Sequence, residues 1–292
     1  MDDAAPSRWR YLWLALLALA LAALINGCTS YARDRLYAPS ERALEIPQWV
    51  GAVPEEVTVT TEDGLTLPGF YWVPAEGEHD VILVLHGRRD TYARMAGYVQ
   101  RLQQDGRGVL VASYRGFNGN PGSPSQSGLI ADAQAFFRLA RERAGREGDV
   151  YVFGHSLGGG VAFQLAAREE LAGVITLGTF TDIEAVAPFY AGPFIPDSWR
   201  SLATLAEVAE PLLLIHGAED NYVEPRNSRE LFAATCSEAA LAIIAGVRHK
   251  PNFRIIQPVM TRWINATEAG TSGQLAAQDG ARWEHKPACE KR

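Results

Sequence analysis

The sequence predicts an α/β protein with a mostly parallel central sheet, opened by an antiparallel hairpin and covered by helices on both faces. Three observations carry that prediction. Between Val81 and Ala245, six short apolar runs rich in Val, Ile and Leu alternate with segments of helical period. Runs that are apolar throughout belong to strands buried on both faces. Before them, residues 55–74 alternate polar and apolar side chains on either side of Asp63-Gly64, the pattern of a hairpin. The length of 292 residues, with 47% hydrophobic content, is enough for one large domain with a sizeable core.

At the N-terminus, Arg8 and Arg10 precede a 15-residue apolar run from Tyr11 to Ile25, followed by Asn26-Gly27-Cys28. The run falls short of the roughly 20 residues that cross a bilayer and matches the core of an export signal. Residues 1–27 are therefore read as a signal peptide, with a plain transmembrane anchor as the alternative. Either reading exports the domain and ties it to a membrane. Residues 28–54 hold Pro39, Pro47 and Pro54 and no sustained period, so they read as a linker that lies on the domain or spaces it from the membrane.

The domain itself spans residues 55–266. After the hairpin, strands are expected at 81–85, 108–114, 149–153, 173–178, 211–217 and 240–245. Helices are expected near 91–105, 127–144, 157–168, 226–235 and 252–266. A parallel sheet built this way places its reactive loops at the carboxyl ends of its strands. Residues 182–206 leave space for one or two short helices. Their Phe189, Tyr190, Phe194, Ile195 and Trp199 would line an acyl pocket, touch the bilayer or cover the core. Residues 267–292 mix four acids and four bases with few large apolar groups and read as a flexible tail.

Charge and cysteine usage narrow the function. Lys and Arg number 27 against 34 Asp and Glu, a net charge of -7, so no general basic field exists to hold nucleic acid, and nucleic acid is dropped as a partner. In an oxidising compartment Cys236 and Cys289 would be free to pair; as far as sequence goes, they are equally two unrelated thiols.

The chemistry is concentrated at "VFGHSLGGG", residues 152–160, where a strand pattern stops and a helix pattern begins. Gly154-His155-Ser156-Leu157-Gly158 is a G-x-S-x-G elbow in its strand-turn-helix setting. A nucleophile on such a bend has a strained backbone, and the residues two before and two after it must lack Cβ. A serine hydroxyl attacks only when a base takes its proton and a carboxylate orients that base. In this arrangement the partners follow in the order Ser, Asp or Glu, His, each just after a strand. Asp220 in "LLLIHGAEDNYVEP" and His249 in "ALAIIAGVRHKPNF" meet that order, with Asp182 the rival carboxylate. His86 and His216 end buried strands and read as structural; His155 is expected to point away within the elbow. The oxyanion of an acyl-transfer intermediate needs donors. The NH groups of Leu157 and, from "LHGRRD", of Arg88 are chosen, with Arg89 the neighbouring alternative.

Together these residues resemble the α/β-hydrolase superfamily. "SYRGFNGNPGSPSQSGLIADAQA" and "LGTFTDI" sharpen the likeness to its small-lid serine hydrolases, which include membrane-associated esterases and protein depalmitoylases. The resemblance covers about residues 55–266. It implies the α/β-hydrolase fold and cleavage of a small-molecule or lipid ester or thioester through an acyl-serine intermediate, with no metal or organic cofactor. An aminopeptidase or amidase of the same fold, or a non-catalytic lipoprotein binding module, are the alternatives. "INGC" resembles the lipobox of bacterial lipoproteins, with Asn26 where a small residue is usual. That likeness implies lipidation of Cys28, and Thr29 in place of an aspartate implies the outer membrane. Two departures stand out: "HGRRD" replaces a smaller loop, and Arg248 replaces the glycine usual before the histidine. If Arg88, Arg89 and Arg248 cluster at the mouth, they would steer an anionic substrate there.

Overall fold

The hairpin forms from Glu55–Thr60 (β1) and Thr66–Trp72 (β2), turning at Gly64, whose φ of +84° suits a residue without Cβ. The structure, a computed structural model, describes residues 8–40, 45–186, 197–275 and 281–289. Six apolar strands follow: Val81–Leu85 (β3), Gly108–Ala112 (β4), Val150–His155 (β5), Gly173–Leu177 (β6), Leu212–Gly217 (β7) and Ala239–Ile244 (β8). They pair in parallel in the order β4-β3-β5-β6-β7-β8, and β2 joins β4 antiparallel at one edge. The expected α/β-hydrolase architecture is therefore the observed one. Strand order reverses between β3 and β5. At such a switch the loops leaving two adjacent strands diverge and open a crevice at their carboxyl ends.

The pleat divides the core into two layers. Val81, Leu83 and Leu85 of β3 face one side with Gln126–Ala144 (α3) and Leu157–Ala166 (α4). Ile82 and Val84 face the other with Tyr92–Val99 (α2) and Phe253–Glu268 (α7). Because side chains alternate along a strand, one apolar run supplies both layers, which is why β3 to β8 carry no polar face. Ser201–Thr204 (α5) and Arg226–Ala234 (α6) complete the helices on the α4 side. Phe189, Tyr190, Phe194 and Ile195 lie outside the described residues. Trp199 is buried against the core.

Three differences from the sequence expectations are physical in origin. The N-terminal helix, Arg8–Tyr37 (α1), runs 30 residues without a break, past the apolar run and well into the expected linker. It persists because Ala32, Leu36 and Tyr37 are buried on the domain and Arg33 pairs with Asp197, contacts the local sequence does not reveal. Near its end, the expected linker touches the domain at Trp49, which packs on Phe70 and Trp72, and at Val50, whose NH donates to Gln100.

The expected flexible tail is corrected: it contains a strand, Ala281–Lys286 (β9), paired antiparallel with β8 at the far edge of the sheet. Its polar sequence suits an edge, where only one neighbour is needed and charge discourages further pairing. Cys236 and Cys289 form a disulfide that closes this edge, and the Cys289 NH donates to the Cys236 carbonyl. Lys286 donates to the carbonyls of Phe232, Ala233 and Thr235, at the C-terminal end of α6, where a cation is favoured. The disulfide spans 53 residues, and a loop of that size is worth about 4 kcal/mol by the chain-entropy account. Cys289→Ser is therefore expected to lower the melting temperature by about 5–10 °C in a calorimetric scan. A melting temperature equal to that of the wild type would refute the role assigned to this staple.

Candidate active site

Ser156 occupies the bend between β5 and α4 with φ +54° and ψ −114°, a conformation that costs a non-glycine residue about 1–3 kcal/mol. Its NH donates to the Leu177 carbonyl of β6 at 2.9 Å, holding the strained residue in line with the sheet. The flanking glycines are required. A Cβ on Gly154 would enter the Gly158 carbonyl, one on Gly158 the Leu85 carbonyl of β3, and one on Gly159 the Thr179 hydroxyl. Only a chain without Cβ at these positions lets α4 start hard against β3.

Asp220 follows β7 and its side chain is fully buried. Oδ2 accepts from His249 Nδ1 at 2.7 Å and from His216 Nε2 at 3.2 Å. Oδ1 accepts from the NH groups of Tyr222 and Val223 at 2.9 and 3.0 Å. Burial opposes the charge, yet hydrogen bonds from His216, His249 and the backbone outweigh it and hold the carboxyl well below the usual carboxylate range. His216 Nε2 also faces the Val223 carbonyl at 2.8 Å, so this nitrogen carries the proton and Nδ1 accepts from Ser228 at 2.6 Å. His216, expected to be structural, is thus satisfied and is also the second side chain that fixes Asp220. The rival Asp182 is not among the partners of His249.

The loops after β3, β5, β6, β7 and β8 meet around Ser156. A Cβ on Gly87 would lie 3.4 Å from Ser156 Cβ. One on Gly178, after β6, would lie 3.1 Å from His249 Nδ1 and 3.3 Å from Asp220 Oδ2. His155 does not point away from the site. It is buried, its Nε2 is 3.1 Å from the His249 carbonyl, and the two rings lie 5.0 Å apart. The residue beside the nucleophile therefore touches the main chain of the base. Ser156 and His249 are not hydrogen-bonded to each other in this structure; such bonds commonly close only with substrate in place. Lys250, next to His249, pairs with Asp90 at 2.5 Å and so ties the histidine loop to the turn after β3.

Of the proposed oxyanion donors, Leu157 is the first residue of α4, where an NH has no partner within the helix. Arg88 lies in the turn against Ser156. Its guanidinium is engaged, donating to the Tyr222 hydroxyl at 2.7 Å and to the Arg35 carbonyl at 2.6 Å. Arg89 and Arg248 are exposed. The expected steering cluster of three arginines thus loses its innermost member to structural hydrogen bonds. Cys28 is exposed on α1 and takes no part in this cluster.

Two buried histidines make the site acid-sensitive. Burial, reinforced by His249, pushes His155 down to about 3, and burial pushes His86 down to about 4. Both stay neutral in the folded protein while the unfolded chain takes up protons near the ordinary value of about 6.5. Stability is therefore greatest above that value and falls as pH drops towards 4, by roughly 1.4 kcal/mol per pH unit for each histidine. Urea unfolding at pH 7.5 and pH 5 is expected to show this loss, and His86→Gln to remove about half of its slope. A pH-independent unfolding free energy across that window would contradict the assignment.

Fold and site together define the class: the chain belongs to the α/β-hydrolase superfamily. Residues 77–202 match the family model described as serine aminopeptidase, S33. A protein of Mycobacterium tuberculosis, "Uncharacterized protein MT2364", is 30% identical over 277 residues, covering 89% of this chain and 96% of that one. A Saccharomyces cerevisiae relative described as "Uncharacterized membrane protein YNL320W" is 26% identical over 268 residues, covering 85% and 93%. Among solved structures, the esterase Pf2001 of Pyrococcus furiosus superposes with a TM-score of 0.62 at 17% identity, covering 80% of this chain and 98% of that one. Acylaminoacyl peptidase of Pyrococcus horikoshii superposes with a TM-score of 0.56 at 18% identity, over 73% of this chain and 41% of that one. These two likenesses concern the fold.

Proposed function

We propose that this protein is a membrane-tethered serine hydrolase that cleaves a carboxylic ester or thioester through an acyl-serine intermediate. The observation that carries this reading is the strained Ser156 bend, packed against loops that hold an Asp220–His249 hydrogen bond. In the first half-reaction His249 Nε2 accepts the Ser156 proton as Oγ attacks the carbonyl carbon. Asp220, accepting from Nδ1, fixes the tautomer that leaves Nε2 free and stabilises the imidazolium that forms. The NH groups of Leu157 and Arg88 receive the developing oxyanion, each worth roughly 2.7–4 kcal/mol in the barrier. The tetrahedral intermediate collapses, and His249 returns the proton to the departing alcohol or thiol. Water, deprotonated by the same imidazole, then attacks the acyl-serine, and the acid leaves.

The tether is α1. Trp9–Tyr37 is long and apolar enough to cross a membrane, with a mean hydropathy of 2.1 in its most apolar window. Export with lipidation of Cys28, or retention of the helix as an anchor, would each hold the domain at a membrane. The lipobox likeness favours the outer membrane.

A panel of p-nitrophenyl esters and acyl thioesters of rising chain length, with fluorophosphonate labelling of the wild type and Ser156→Ala, tests the reading. Turnover and labelling are expected in the wild type only. Absence of both in the wild type would favour a binding module. The family description as serine aminopeptidase supports a second reading, and an aminoacyl p-nitroanilide cleaved faster than any ester would establish it.

A further inference from the structure

Arg88 stands at the rim of the catalytic mouth with its charge unpaired. Its main chain forms the turn against Ser156. Its guanidinium donates from Nη1 to the Tyr222 hydroxyl at 2.7 Å and from Nη2 to the Arg35 carbonyl at 2.6 Å. Both acceptors are neutral, and among the described residues no carboxylate pairs with it. Its Nε is buried without a partner. The arginines that the fold buries most deeply differ: Arg107 pairs with Asp80 and Glu268, and Arg115 with Asp63 and Asp132.

Taking a cation out of water is unfavourable unless an anion meets it. The Arg35 carbonyl lies in the last turn of α1, and a helix end offers about half an elementary negative charge at most. Three carboxylates lie two residues from Arg88 or Tyr222, and all are engaged elsewhere. Asp90 is held by Lys250 and Arg94, Asp220 by His249 and His216, and Glu224 by Arg226.

Donors therefore outnumber acceptors at this point of the rim. Nη1 and Nη2 each keep a second N–H, and the Tyr222 hydroxyl, having accepted from Arg88, keeps its own proton to give. Tyr222 is 43% exposed, its ring lies 4.9 Å from that of His249, and its NH donates to Asp220. These donors stand one tyrosine ring from the candidate base, reachable from solvent, on side chains already held in place. A carboxylate or a phosphate has the paired oxygens that match a planar guanidinium fork. The hydrogen bonds that withdraw Arg88 from a loose steering cluster thus give it a fixed orientation.

We infer that the Arg88 guanidinium and the Tyr222 hydroxyl form a site for an anionic group of the substrate, so that the ester or thioester cleaved here carries a carboxylate or phosphate near its scissile bond. This deepens the serine-hydrolase reading and rests on it. The anion completes the pairing that Arg88 lacks and holds the carbonyl carbon before Ser156 by a second point of attachment.

The test compares two matched pairs on the full chain in detergent. The first is mono-p-nitrophenyl adipate against its neutral terminal amide, which puts a carboxylate in the acyl part. The second is 2-(butyryloxy)ethyl phosphate against its neutral dimethyl ester, which puts a phosphate in the leaving group. The ratio of kcat/KM for the anionic and neutral members is read within each enzyme, so a loss common to both cancels. At about 0.3 M NaCl, attraction between separated surface charges is largely screened. A hydrogen-bonded charge contact should still favour the anion at least about tenfold in one of the pairs. Which pair shows it tells the carboxylate from the phosphate. Arg88→Met is expected to cut that ratio at least fivefold. Arg88→Gln, which removes the charge but keeps a donor for the Arg35 carbonyl, should do the same and serves where the methionine variant does not fold. A wild-type ratio below tenfold in both pairs would overturn the inference, as would a ratio that survives loss of the Arg88 charge. Turnover of the neutral esters separates this outcome from failure of the hydrolase reading, in which the wild type cleaves no member of either pair.

Discussion

Replacing Ser156 by glycine is expected to abolish hydrolysis while making the protein more stable. Activity should fall at least about 10³-fold, to the residue left by binding and the oxyanion donors alone. The stability gain comes from the backbone. At φ +54° and ψ −114°, serine bears about 1–3 kcal/mol of strain that glycine does not. Glycine forfeits about 0.5–1 kcal/mol of that through its looser unfolded chain. A net gain of about 1 kcal/mol, or about 2–4 °C in melting temperature, should remain. Ser156→Ala separates the two effects, because alanine lacks the hydroxyl but keeps a Cβ. It should be as inactive as the glycine variant and no more stable than the wild type. Equal melting temperatures for the two variants would show that the bend is not strained in solution. Retained turnover in either would show that the hydroxyl is not the nucleophile.

Asp220→Asn is expected to lower kcat by about 10³–10⁴-fold and to destabilise the fold. The carboxylate accepts four hydrogen bonds: two backbone NH groups on Oδ1, and His249 and His216 on Oδ2. An asparagine that keeps its oxygen toward Tyr222 and Val223 turns its NH2 toward both imidazoles. His249 must then accept at Nδ1, which moves its proton to Nε2, where it can no longer take one from Ser156. His216 meets a donor with a donor, at a cost of about 1–3 kcal/mol for the buried clash. The wild-type carboxyl is held below its unfolded value, so the stability it contributes is present above that value and lost only as pH falls through the folded one. The variant should therefore be less stable at neutral pH and converge on the wild type in strong acid, as followed by urea unfolding. Unaltered kcat would remove Asp220 from the relay and reopen the place for another carboxylate.

How far the site was legible depended on how local its causes are. β3 was expected over the residues it occupies, and β5 to β8 within two residues at each end, because an apolar run bounded by turn residues is a local signal. The glycines around Ser156 are equally local: each is demanded by an atom of the bend or of the strands beside it. The order of Ser156, Asp220 and His249 along the chain was readable because a parallel sheet puts successive loops on one edge. His155 was misread because its partner, the His249 carbonyl, lies 94 residues away.

The same contrast separates what each level of description decides. The alternation of apolar runs and helical segments and the elbow that carries Ser156 are determined by the sequence itself, since each follows from side chains within a few positions of one another. Tertiary structure alone decides that a polar tail becomes an edge strand, that α1 extends to Tyr37, that His216 shares Asp220, and that Arg88 binds the end of the N-terminal helix. In each of these a group is satisfied by a partner brought near only by the folded chain, whether β8 for β9, Asp197 for Tyr37, or Asp220 for the His216 proton carried by its Nε2. Residue spacing encodes local geometry, whereas the desolvation and pairing of distant groups are set only once the sheet has closed around them.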